Sequence, residues 1–205
     1  MKHAMKILAV FVLVITSTQA VFANELSSNG NWYARVGIGY TEQSNHYDKK
    51  IFGTTTWDFR DGVNFTMSSG FDANFWAVEG EVSYKKFGTK SNFEGDQTQA
   101  SAMLNFLLHP KQDWIISPYI GAGLGATQIS WNNIKIQDDR FTINDSDIVF
   151  THQFIIGTAY KASSNLFLEI DYRYFKSNSV ANFEGRAKLD HQELNIFGFA
   201  VKYKL

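Results

Sequence analysis

The sequence predicts an all-β fold, an eight-stranded antiparallel up-and-down transmembrane β-barrel, and three observations predict it. Apolar and polar residues alternate with a period of two through eight successive segments of the 205-residue chain. Connections between these segments are alternately short and long. The more polar face is rich in glycine, alanine and serine, whereas a water-facing surface would carry more lysine and glutamate.

The first residues precede the fold. Lys2 and Lys6 supply positive charge, and ILAVFVLVI from Ile7 to Ile15 is an apolar core of about nine residues. TSTQAVFA follows, with Val21 and Ala23 placed for cleavage after Ala23. Residues 1–23 are therefore expected to be a signal peptide and 24–205 the barrel domain. The alternative, an uncleaved anchor, is opposed by length, because a spanning helix needs roughly twenty apolar residues.

The first segment, 32–41, sets Trp32, Ala34, Val36, Ile38 and Tyr40 against Tyr33, Arg35, Gly37 and Gly39. The second, 63–71, sets Val63, Phe65, Met67 and Phe71 against Asn64, Thr66, Ser68 and Gly70. The third, 76–85, opposes Trp76, Val78, Val82 and Tyr84 to Glu79, Glu81, Ser83 and Lys85. The fourth, 97–108, opposes Ala100, Ala102, Leu104, Phe106 and Leu108 to Gln99, Ser101, Met103 and Asn105. The fifth, SPYIGAGLGATQISW (117–131), places Ile120, Ala122 and Leu124 opposite a ladder of Gly121, Gly123 and Gly125. The sixth, 150–160, carries Phe154, Ile156 and Tyr160 against Gln153, Gly157 and Ala159. The seventh, 166–175, carries Leu168, Ile170, Tyr172 and Tyr174 against Glu169, Asp171 and Arg173. The eighth, 193–205, carries Phe197, Phe199, Val201, Tyr203 and Leu205 against Gly198, Ala200, Lys202 and Lys204.

Tight turns fall at 72–74, 109–113 and 161–165, and long polar loops at 42–62, 86–96, 132–147 and 176–192. The small residues decide which face is inside. The lumen of an eight-stranded barrel is barely wide enough for side chains, so glycine belongs there and the apolar face belongs to lipid. On this reading the glycine ladder makes room for long charged groups such as Arg35 and Glu79. Aromatic residues gather at both ends of the segments. Trp32, Phe71, Trp76, Trp114, Tyr160 and Tyr203 form one expected girdle, and Tyr40, Tyr84, Trp131, Tyr172 and Tyr174 the other.

The signal peptide, the eight alternating segments, "SPYIGAGLGA", "LEIDYRYF" and the terminal "FGFAVKYKL" resemble the small outer-membrane β-barrel family, which includes the OmpA transmembrane domain and opacity-type surface proteins. The resemblance implies a Gram-negative cell outer membrane, contact with its lipid and lipopolysaccharide, insertion by the barrel-assembly machinery, and extracellular long loops. The chain departs from the family in ending on Leu205 rather than an aromatic residue.

Function is expected in the loops. A formal net charge of −1 gives no reason to expect a nucleic acid partner. The absence of cysteine removes disulfides and thiolate metal sites. No cofactor is implied. The expected lumen network is Arg35, Lys85, Arg173, Lys202 and Lys204 against Glu79, Glu81, Glu169 and Asp171, with Glu169 and Lys202 as one pair. It reads as a salt-bridged plug, with a gated, porin-like narrow channel as the alternative.

Catalysis would need a histidine with a nucleophile and an acid. His46 and His109 fall in connections, while His152 and His191 fall at the loop-side rim, beside no serine of matching parity. A lipid-modifying enzyme is therefore the remote reading. Asp138, Asp139, Asp145 and Asp147 in the third loop could ligate calcium but match no loop motif, and a solvated acidic loop is the simpler account. Tyr47, Lys49, Lys50, Trp57 and Phe59 in the first loop mix basic and aromatic groups as binding surfaces do. Equally, Trp57 and Phe59 could extend the second strand. The expected function is a surface protein, adhesin-like or ligand-binding, that supports envelope integrity.

Overall fold

The computed structural model describes residues 31–44, 59–89, 96–110, 114–136, 141–178, 180–183, 187–189 and 191–205. Eight strands form the barrel: β1 (Asn31–Ser44), β2 (Phe59–Asp72), β3 (Trp76–Thr89), β4 (Asp96–Leu108), β5 (Ile116–Ile136), β6 (Phe141–Lys161), β7 (Leu166–Ser177) and β10 (Gln192–Lys204). Each pairs antiparallel with its sequence neighbours, and β10 returns to β1, so the sheet closes and has no edge strand. A separate short hairpin of β8 (Val180–Phe183) and β9 (Ala187–Leu189) lies between β7 and β10 in sequence, and β8 sits against β6. The signal-peptide segment lies outside the described residues.

Register fixes the shape of the barrel. Following paired residues from Ala34 through Ser69, Gly80, Leu104, Leu124, His152, Lys176 and Glu193 returns to β1 at Ser44, ten residues beyond the start (34 to 44). With the usual rise per residue and strand spacing, that stagger tilts eight strands by about 40° to the axis.

The period of two then decides what meets lipid. Val36, Phe65, Leu104, Ile120, Leu124, Phe154, Ile170 and Phe199 lie on the outer wall, each about half exposed or more, while Arg35, Glu79, Glu81, Asn105, Gln153, Asp171 and Arg173 are buried within. A water-soluble barrel would have the opposite polarity. Both ends of the outer wall carry aromatic rings. At the short-turn end Trp32 meets Phe71 edge-on at 5.5 Å, Phe71 meets Trp76 at 6.4 Å, and Trp76 stacks on Phe106 at 6.2 Å. Trp114, Tyr160 and Tyr203 stand exposed at the same end. At the other end Tyr40 donates to Asp61, and the Tyr172 hydroxyl donates to Asn195 at 2.6 Å. Tyr84 and Tyr174 share that end and face.

Two stretches bear on the sequence reading. The backbone of Trp131 pairs with Gln97 at the last regular position of β5 before a bulge. Much of the expected third loop is strand: β5 and β6 run 21 residues each and pair as far as Ile136 with Phe141, past a bulge between Trp131 and Ile134. Phe59 begins β2 and pairs with Thr89, which favours the strand-extension alternative for that residue.

The glycine ladder serves different neighbours from those expected. A Cβ on Gly123 would collide with the Asn105 side-chain oxygen and come within 3.2 Å of Gln153. On Gly121 it would strike Leu107 and approach the Phe106 carbonyl to 2.8 Å. The ladder therefore makes room for β4 and β6 side chains, not for Arg35 or Glu79.

Adjacent residues on this strand should fail for opposite reasons. Leu124→Arg puts a charge in lipid and is expected to cost about 2–4 kcal/mol. Gly123→Val overpacks the lumen and is expected to cost about 1–3 kcal/mol. Equilibrium urea unfolding in lipid vesicles measures both, and a neutral result for either contradicts the face assignment.

Candidate functional site

The interior is a continuous polar column. Asp171 on β7 joins two guanidinium groups: Arg35 of β1 donates to it through Nη2, and Arg173 donates through Nε at 3.0 Å and Nη2 at 3.2 Å. Arg35 Nε also donates to Glu169 at 2.7 Å, and Arg173 Nη1 reaches across the lumen to Glu81 on β3. Glu79 accepts from the Tyr33 hydroxyl at 3.0 Å and from Asn105 at 3.2 Å. Asn105 also donates to Glu81 at 3.3 Å and accepts from Gln153 at 2.8 Å. These side chains are buried, and in such surroundings every charge needs partners of this kind.

Below this layer, toward the short turns, Asp72 gathers three groups. Lys202 lies 3.5 Å away, Lys204 3.6 Å and His109 3.4 Å. Lys202 also approaches Glu169 at 3.7 Å and lies over the Tyr33 ring at 4.4 Å. Above the central layer Lys85 donates to Ser83 at 3.0 Å and Ser101 at 3.2 Å, with its ammonium 3.9 Å from the Phe175 ring centre. Hydroxyl bonds continue from Thr151 to Thr127 at 2.8 Å and from Thr127 to Ser101 at 3.0 Å. Gln99 on β4 donates to Gln192 on β10 at 2.7 Å, closing this level from wall to wall.

All nine charged residues expected in the lumen therefore lie in one column. Asp72 is the tenth. It belongs to β2 rather than to a turn, and with it this column holds five cations and five carboxylates among the described residues. Its signal was present in the sequence: extending the β2 alternation one residue past Phe71 points Asp72 inward. Tyr33, Tyr119, Asn105 and Gln153 also join the network, and their polar tips gave no charge signal. The column is not wholly polar, because Phe87, Met103, Phe175, Leu194 and Ile196 form an apolar cluster inside its loop-side half.

The other candidates do not converge. His152 lies with its ring edge-on to Phe154, His191 approaches Glu193 at 3.3 Å, and His109 is at the far end of the barrel. Lys176 donates to Glu193 at 2.8 Å, and that bond holds the Glu193 carboxyl below the usual glutamate range at the rim. Among the described residues no cluster of three or more histidine, aspartate or glutamate side chains could hold a metal. Asp138, Asp139, Tyr47, Lys49, Lys50 and Trp57 lie outside the described residues. Asp145 lies on β6, and Asp147 accepts from the Ile148 backbone N–H at 2.8 Å.

Comparison with known proteins places this geometry. The barrel is similar to Neisserial surface protein A, with a TM-score of 0.62 and 15% identity over 87% of this chain and 100% of that one. It is similar to OprG of Pseudomonas aeruginosa, with a TM-score of 0.58 and 14% identity over 86% of this chain and 96% of that one. It is also similar to Ail, the attachment invasion locus protein of Yersinia pestis, solved with the heparin analogue sucrose octasulfate. There the TM-score is 0.54 and the identity 14%, over 86% of this chain and 99% of that one. Identities this low establish a shared fold. Comparison with curated proteins gave no match. The family model for the outer membrane protein beta-barrel domain matches residues 7–204. With a closed eight-stranded barrel that is apolar outside and charged within, the chain belongs to the outer membrane protein β-barrel domain family.

Proposed function

We propose that the protein is a surface-exposed structural component of a Gram-negative outer membrane, whose barrel is a closed support and whose long loops carry adhesin-like or ligand-binding specificity. The observation that carries this reading is the packed interior. The cavity lined by Arg35 and Arg173 has a volume of about 10 Å³ and that between Tyr119, His109 and Lys202, nearer the short turns, about 30 Å³, room for one or two waters and not for a permeating solute. Recognition then falls to the loop side, where the β5–β6 hairpin continues past the last β4 pair at Asn132. The fold-level likeness to an attachment protein is in keeping with this, although a fold alone does not transmit a function. The apolar segment before residue 24 fits export, and the outward apolar band fits contact with lipid and lipopolysaccharide after insertion by the barrel-assembly machinery.

Three outcomes test the proposal. The purified protein is expected to show negligible conductance in planar bilayers, and a reproducible open state lasting most of the record would overturn the closed-barrel part. Arg173→Leu leaves Glu81 and Asp171 without a shared cation. It is expected to cost about 3–5 kcal/mol in urea unfolding and to admit intermittent conductance, whereas Lys86→Ala, which breaks the exposed 3.0 Å pair with Asp96, leaves unfolding unchanged. Adhesion of whole cells displaying the intact protein or variants shortened in one loop at a time tests recognition. At least one shortened variant should lose adhesion, and equal adhesion by all would reject the loop assignment.

A further inference from the structure

Charge is distributed unevenly around the loop-side rim of the outer wall. His152 of β6, Lys176 of β7 and Glu193 of β10 form one cross-strand row, in which His152 pairs with Lys176 and Lys176 with Glu193. It is the next outward row toward the loops after Phe154, Tyr174 and Asn195. At that level, just past the aromatic girdle, the apolar wall gives way to lipid headgroups. Glu193 organises the row. Its Oε1 accepts from Lys176 Nζ at 2.8 Å and lies 3.3 Å from His191 Nε2, and the Tyr174 hydroxyl donates to the same carboxyl. His152 stands on the far side of Lys176, where facing Cβ atoms are about 5 Å apart. One carboxylate is thus set among one ammonium and two imidazoles. An ammonium has three donors, so Lys176 can serve Glu193 and a second anion at once.

Elsewhere on the described rim the balance is neutral or negative. Lys86 of β3 is matched by Asp96 at 3.0 Å. Glu42 and Asp61 stand exposed on β1 and β2, one position beyond the Thr41–Gly62 pair, and like carboxylates there repel an anion. We propose that the β6–β7–β10 rim is a seat for a phosphate of outer-leaflet lipopolysaccharide, with Lys176, His152 and His191 donating to the phosphate and the exposed strip of Phe154, Ile156 and Ile170 receiving its acyl chains. A free phosphate would meet the same donors but gain nothing from the apolar strip. The lipid therefore contacts the barrel on one preferred side. This inference deepens the lipid contact proposed above and rests on the outer-membrane placement, not on the loops. An imidazole beside an anion favours its charged form, so the histidine share of the attraction grows as pH falls, while proton uptake by the phosphate opposes it. Among the described residues the groups facing the two imidazoles are Lys176, Glu193 and the Tyr174 hydroxyl, with apolar Leu124 beside His152 on β5 and Ser44 opposite Glu193 on β1.

The test uses the purified full-length protein in zwitterionic detergent, with bound lipid counted by native mass spectrometry. Diphosphoryl lipid A, the same lipid stripped of both phosphates, and inorganic phosphate are the three probes. The diphosphoryl lipid should bind about tenfold more tightly than the phosphate-free lipid, the scale of one charge-assisted hydrogen-bonding group, and equal affinity would overturn the seat. Lys176→Gln/Glu193→Gln removes the ammonium without orphaning the carboxylate and should abolish that preference, whereas Lys86→Gln should keep it. A preference that survives in the double variant would reject the assignment to this rim. Inorganic phosphate at the same concentration should leave the lipid bound, and full displacement would reject the lipid as the source of the phosphate. Between about pH 8 and pH 6 the unaltered protein should gain affinity relative to His152→Gln/His191→Gln, and parallel profiles would remove the imidazoles from the seat. Heat-modifiable migration on a detergent gel establishes that each variant is folded. Failure of the seat leaves the closed barrel and the loop assignment standing, since neither conductance nor adhesion enters these measurements.

Discussion

Among the described residues ten charged side chains share the inside of an eight-stranded barrel, and the structure depends on their neutralising one another. Lipid excludes any escape through the wall, and the lumen is too narrow for each charge to keep its own water. The response is a shared carboxylate at each level. Asp171 serves Arg35 and Arg173, and Asp72 serves Lys202, Lys204 and His109. Lys85, the highest of the five cations, relies on two serine hydroxyls and an aromatic face instead. Apart from Arg173 with Asp171, which share β7, the partners come from different strands, so these ion pairs are also cross-braces that hold register.

The same narrowness sets the composition of the wall. Interior positions combine long side chains that cross the lumen with glycines that make way for them. Gly123 gives space to the Asn105–Gln153 bond, and Gly157 faces the Tyr119 ring, with 2.5 Å between its hypothetical Cβ and the ring carbon that bears the hydroxyl. Charge and volume are thus two sides of one constraint. A larger lumen would need neither the glycines nor the strict charge balance, because water would fill and screen it. Outside, the constraint reverses. Leu104, Leu124 and Phe154 need only be apolar, since fluid lipid fits any shape.

The function proposed for the loops rests on this division. A wall specified by lipid and a lumen specified by charge balance leave little freedom for recognition, whereas the loop side is bound by neither. The long β5–β6 hairpin and the small β8–β9 hairpin lie where binding residues can vary without disturbing the barrel.

The sequence by itself determined the strand count, the inward and outward faces, and nine of the ten lumen charges. A period of two converts residue order directly into side-chain direction. The strand ends were less legible: Asp72 was assigned to a turn and much of the β5–β6 hairpin to a loop. Alternation fades where a strand leaves the membrane, because no single polarity is then imposed on either face. Beyond Glu169 with Lys202, which neighbouring strands made legible, only the tertiary structure decided which charge meets which. Arg173 is two residues from Asp171 but also bonds Glu81, 92 positions away, and that pairing depends on the ten-residue stagger with which the barrel closes. Stagger is a property of all eight strands together, so no local stretch of sequence encodes it.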